Sequence, residues 1–94
     1  MKAIEKAKDF LLNLKHIELD DSYPLEEFYD FSKPHLPYYV YMDANAYGCY
    51  SYDARFMSKK DVNKLIAEQC CEENNWDTIV ILDVKQNKTV VPHI

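Results

Sequence analysis

Between Pro37 and Asp53 the chain reads PYYVYMDANAYGCYSYD, and six of its eight tyrosines fall in that segment. Tyrosine suits a pleated, half-buried surface, so a run this dense points to strands. From Tyr38 the pattern has period two, with Tyr38, Val40 and Met42 on one face and Tyr39, Tyr41 and Asp43 on the other. The Asp-Ala-Asn-Ala run breaks that pattern as a turn, and Tyr47 to Tyr52 resumes it. The segment therefore predicts a β-hairpin.

Register decides what the tyrosines do. With a four-residue turn at 43–46, Met42 pairs with Tyr47 and Tyr41 with Gly48. Tyr39, Tyr41, Tyr50 and Tyr52 then share one face, while Tyr38, Val40, Met42, Tyr47 and Cys49 share the other. The second set is more aliphatic and is expected to meet the helices, which leaves the four tyrosines facing solvent or a partner. An odd turn length, or a bulge at Gly48, would swap the faces of the second strand.

The rest of the chain supplies helices and a second hairpin. Across residues 2–15, Ala3, Ile4, Ala7, Phe10, Leu11 and Leu14 recur at three- and four-residue steps, which places one apolar stripe on a helix. Pro24 suits the first turn of a short helix, PLEEFYDF, with Ser22 as its cap and Leu25, Phe28 and Tyr29 as its apolar side. Pro34 and Pro37 stop any helix. Ser58-Lys59-Lys60-Asp61 resembles a capping box, and behind it Val62, Leu65, Ile66, Gln69 and Cys70 mark a buried stripe that runs to Asn74 and Asn75. Thr78 to Val84 is apolar at nearly every position and reads as a central strand. After the turn Lys85–Lys88, Thr89 to Val91 forms a short strand, and Pro92 marks it as an edge. The expected architecture is α+β: one domain over residues 1–94, in the order α, short α, β, β, α, β, β. Its four-stranded antiparallel sheet would carry two main helices on one face, as a two-layer sandwich.

Charge narrows the partners. The chain holds 16 acidic against 11 basic residues, and its only arginine is Arg55. Affinity for nucleic acid comes from cations that neutralise phosphates, so direct nucleic-acid binding is disfavoured. Six acids, Glu18, Asp20, Asp21, Glu26, Glu27 and Asp30, lie in a stretch without lysine or arginine. They read either as a solvated connector or as an anionic patch for a basic partner. No stretch reaches the ~20 apolar residues of a membrane span, and the N-terminus lacks the apolar run of a signal peptide. With an odd cysteine count, a reducing cytoplasm is the expected setting.

Catalytic sets are not evident. Cys49, Cys70, Cys71 and His93 lack the spacing of a zinc site, and adjacent cysteines on a helix point about 100° apart. Cys49 with His93 as a nucleophile pair rests on the residue list alone. His16 and His35 read as loop residues, and Trp76 as an anchor where the second main helix turns into the sheet. Asp43 and Asp53 near the hairpin ends could pair for acid–base work, but nothing places them in a pocket. A single glycine nearly excludes a phosphate loop.

A small non-enzymatic protein-binding module without cofactor or metal is therefore expected. Its partner would be another protein with a basic surface, met through Tyr39, Tyr41, Tyr50 and Tyr52 and steered by Glu18, Asp20, Asp21, Glu26, Glu27 and Asp30. By analogy of composition, that is also the profile of a phage or mobile-element inhibitor that blocks a host nucleic-acid machine. The alternative is a homo-oligomerising regulatory domain, forming a homodimer without acidic docking. A thiol or zinc-dependent enzyme comes third.

Overall fold

The computed structural model describes residues 2–14, 25–46, 48–70 and 76–90. The expected cap Ser22 with Pro24, the Asn74–Asn75 helix end and the Val91–Pro92 strand end lie outside the described residues. Helix α1 spans Ala3–Leu12, and its stripe buries Ala7, Phe10 and Leu11. It ends at Asn13, whose backbone N–H and side-chain Nδ2 both donate to the Asp9 carbonyl, at 3.1 and 2.8 Å. That satisfies a carbonyl the last turn would otherwise leave open. The short helix α2 is Leu25–Phe28. Strands β1 (Tyr38–Ala46) and β2 (Cys49–Met57) form the first hairpin. Helix α3 (Lys59–Cys70) starts behind Ser58, whose Oγ accepts the Asp61 N–H at 3.2 Å as a capping residue does. Strands β3 (Thr78–Asp83) and β4 (Lys88–Val90) close the chain order.

The four strands form one antiparallel sheet in the order β2-β1-β3-β4. The α+β class and the four-stranded antiparallel sheet are those the sequence pattern predicts. Thr78–Asp83 does lie in the interior, and the short β4 at an edge.

The turn of the first hairpin is displaced. Residues 43–46, expected as the reversal, are instead the end of β1, and Ala46 pairs with Cys49. The chain reverses through Gly48 at φ +80°, a conformation closed to most residues but open to one without Cβ. Tyr41 consequently faces Ala54 and Met42 faces Asp53, in place of Gly48 and Tyr47. Both turn lengths are even, so parity survives: Tyr39, Tyr41 and Tyr52 share a face, and Val40 and Met42 share the other.

The helices divide between the two faces of the sheet. Ala7, Phe10 and Leu11 of α1, with Leu25 and Tyr29, pack on Tyr39, Tyr41, Ala54, Phe56, Val80 and Leu82. On the opposite side Val62 and Leu65 of α3 pack on Val40, Met42, Met57, Ile79 and Ile81. The reason lies in the two interior strands, where every residue of 39–43 and of 79–82 is buried. A strand apolar on both faces needs cover on both, and one helix layer cannot give it. Between α2 and β1 the chain runs along the outer edge of β2, where the Asp30 N–H donates to the Ala54 carbonyl at 2.9 Å. That bond occupies part of an edge that would otherwise be open to pairing.

Candidate protein-binding patch

The tyrosine face is mostly core. Tyr39 and Tyr41 are both 0% exposed, because α1 and the 25–31 segment lie over the face expected to be open. Tyr39 sits against Phe56 at 4.7 Å between ring centroids, stacks on Phe31 at 5.5 Å and meets the edge of Phe10 at 6.1 Å. Its hydroxyl is buried and finds no hydrogen-bond partner among the described residues. Burial, joined by the negative fields of Asp30, Tyr29 and Asp53, raises its pKa above the ordinary phenol value. Tyr41 differs: its hydroxyl donates to the buried Asp43 carboxylate.

From this core a row of rings leads outward. Tyr29 lies 6.3 Å from Tyr41 and 5.5 Å from Tyr52, and Phe28 lies 6.5 Å from Tyr52. The row surfaces at Phe28 (42% exposed) and Tyr52 (37%), two of the three exposed large apolar side chains among the described residues. Helix α2 explains the outcome locally. In one turn of helix Leu25 and the following Tyr29 point to the sheet, so Glu26, Glu27 and Phe28 are left outside.

Three exposed acids lie within two residues of Phe28 in the chain. Glu26 is ion-paired with Lys8 of α1, and that hydrogen bond holds its carboxyl below the usual range. Asp30 accepts from the Ser32 hydroxyl at 2.6 Å and the Ser32 N–H at 2.8 Å, which lowers its pKa as well. Glu27 is exposed beside Phe28. Of the ten residues expected to bind a partner, Tyr52, Glu26, Glu27 and Asp30 are exposed, with Glu26 reaching toward Lys8 of α1 and Tyr52 lying against Phe28. Tyr39 and Tyr41 are buried, and Glu18, Asp20, Asp21 and the Tyr50 side chain are outside the described residues. Phe28 was expected on the buried side of α2. A single turn of helix cannot distinguish Phe28 from Tyr29 as the inward residue by spacing alone.

The acid–base candidates are separated. Asp43 stands opposite Tyr52 and faces α1, whereas Asp53 stands opposite Met42 on the α3 side, where Arg55 pairs with it. Among the described residues no three His, Cys, Asp or Glu side chains gather as metal ligands. The Cys49, Cys70 and Cys71 side chains and all of His16 and His93 lie outside them. A groove of about 390 Å³ beside α3 is lined by Trp76, Met42 and Leu65, with Lys33, Arg55 and Lys64 offset by Asp61 and Glu68. Trp76 packs against the α3-side core from this groove, at the point where the chain enters β3. No helix among the described residues is long and apolar enough to cross a membrane.

No family model, curated protein or solved structure matches this chain.

Proposed function

We propose that the protein is a non-enzymatic binding module that docks on the basic surface of another protein through Phe28 and Tyr52. The observation that carries this is their adjacency: two exposed aromatic rings 6.5 Å apart, with the exposed acids Glu26, Glu27 and Asp30 within two residues of Phe28 along the chain. Aromatic side chains supply buried contact area at the centre of an interface, and charges at its rim speed the encounter and select the partner. Glu26 is already neutralised in part by Lys8, so Glu27 and Asp30 provide most of the attraction. Proteins that act on nucleic acid carry surfaces of the required sign, which keeps an inhibitor of such a machine within this reading.

The test is affinity capture from the native host with three baits: the protein itself, Phe28→Ser and Glu27→Lys. A partner retained by the first bait, lost with Phe28→Ser and weakened by Glu27→Lys or by added salt is the expected result. Recovery of the same proteins by all three baits would sink the proposal.

A further inference from the structure

Two residues outside glycine have positive φ among the described residues, and they are not equivalent. Asn87, at φ +54°, lies in the turn between β3 and β4, and asparagine tolerates that region. Lys33, at φ +61°, has a long side chain and stands directly before Pro34. There two restrictions meet. The left-handed region crowds Cβ against the following carbonyl, and a following proline ring pushes its predecessor toward extended backbone.

The strain is confined to a short, accessible span. The Lys33 carbonyl accepts the Leu36 N–H at 3.2 Å, which closes a turn with Pro34 and His35 exposed at its tip. On either side the backbone is fastened, by Asp30 N–H to Ala54 at 2.9 Å and by Val84 N–H to the Pro37 carbonyl at 3.1 Å. The turn joins two parts of unlike character. Before it lies an arm, with α1, α2, Tyr29 and Phe31, whose apolar residues bury Tyr39, Tyr41, Ala54 and Phe56. After it lies the sheet with α3.

We propose that this arm exchanges between two copies of the chain, giving a domain-swapped dimer with 33–36 as the hinge. A second copy's arm is the occupant whose fit to the tyrosine face is already established, because it is the same set of residues. Each contact of the arm is rebuilt in each lobe, and the hinge alone changes. An extended hinge frees Lys33 from its left-handed conformation, in which Pro34 opposes it, and so favours exchange. Each lobe then pairs Phe28 of one chain with Tyr52 of the other, so the dimer presents two binding patches and gains avidity for a partner with repeated sites.

The experiment uses the full chain in two tagged lengths, with photo-reactive benzoylphenylalanine in place of Phe28. The two are mixed, unfolded, refolded at high concentration and separated by size. A dimer that reverts slowly on dilution, with position 28 cross-linked to the β2 strand of the differently tagged chain, is the expected result. Lys33→Gly and Pro34→Ala each relax the hinge within the monomer at exposed positions. Each should lower the dimer association constant about tenfold, the ratio that corresponds to about 1.4 kcal/mol, while the monomer keeps its circular dichroism. Monomer alone at every concentration would overturn the proposal. So would cross-links confined within one chain, or a dimer yield that neither variant changes.

Discussion

The Tyr41 hydroxyl donates to Asp43 Oδ2 at 2.8 Å, and both residues are buried on the same face of β1. Residues two apart on a strand point the same way, and a tyrosine ring is long enough to lean along the strand to its neighbour. This contact is one of those that accompany a carboxyl group lying 7% exposed beside the aromatic core. A buried charge needs donors, and removing one costs more than a hydrogen bond contributes on average. Tyr41→Phe should therefore lower stability by about 1–3 kcal/mol, although it deletes only an oxygen. Urea denaturation of Tyr41→Phe, Asp43→Ala and the double variant checks this. Coupling between the two sites is the expected outcome, and strict additivity would show that the bond contributes nothing.

Tyr39 lies two residues earlier on the same face and makes the opposite prediction. Its hydroxyl is buried without a hydrogen-bond partner among the described residues, so it carries a desolvation penalty with no offsetting bond. Tyr39→Phe keeps the ring contacts with Phe31 and Phe56 and removes that penalty. Stability should be unchanged or rise by up to about 1 kcal/mol. The comparison of Tyr39→Phe with Tyr41→Phe is sharp because the chemical change is identical. A loss at both positions of similar size would mean that the two hydroxyls are equally satisfied.

The same burial sets a response to alkali. The Tyr39 phenol is held above its ordinary value near 10, chiefly by desolvation. The unfolded chain releases this proton near pH 10 while the folded chain retains it. Below pH 10 both states are protonated and Tyr39 adds no pH dependence; above it the unfolded state binds fewer protons and stability falls as pH rises. The slope contributed by this single residue approaches about 1.4 kcal/mol per pH unit. Unfolding followed by tyrosinate absorbance should show part of that signal arriving with the loss of structure. Tyr39→Phe should make the decline above pH 10 shallower by one proton, and an unchanged slope would contradict the assignment.

Much of this arrangement was legible in the residues. The three-and-four spacing from Ala3 to Leu14 marks α1, Ser58 marks the start of α3, and strand parity places Tyr39, Tyr41 and Tyr52 on one face. A clue to cover on both faces was also present. Ile79 to Leu82 is apolar at both parities, which a sheet with one bare face does not require. It was obscured by the phenol oxygens, which make a tyrosine face resemble a wet one until Phe10 and Phe31 are seen against it. The patch at Phe28 was less accessible. It depends on which way one turn of helix rolls, and that is set by contacts of Tyr29 with Tyr41 of β1 and Tyr52 of β2.

Gly48 tests the register on which the aromatic core depends. Asp43 to Ala46 has the composition of a turn, yet Asp43 is drawn into the strand, where its carboxylate meets Tyr41. The reversal falls instead where the chain can adopt φ +80°. A Cβ added at Gly48 would meet nothing within 4 Å, so steric contact cannot explain any loss there. Gly48→Ala should still destabilise the protein by about 1–2 kcal/mol, the cost of a left-handed backbone for a residue with a side chain. Gly48→Asn should lose less, because asparagine enters that region more readily. Equilibrium denaturation of the two variants measures the difference. An alanine variant as stable as the parent would place the turn elsewhere, and with it the pairing that sets Tyr41 opposite Ala54 and Tyr52 opposite Asp43.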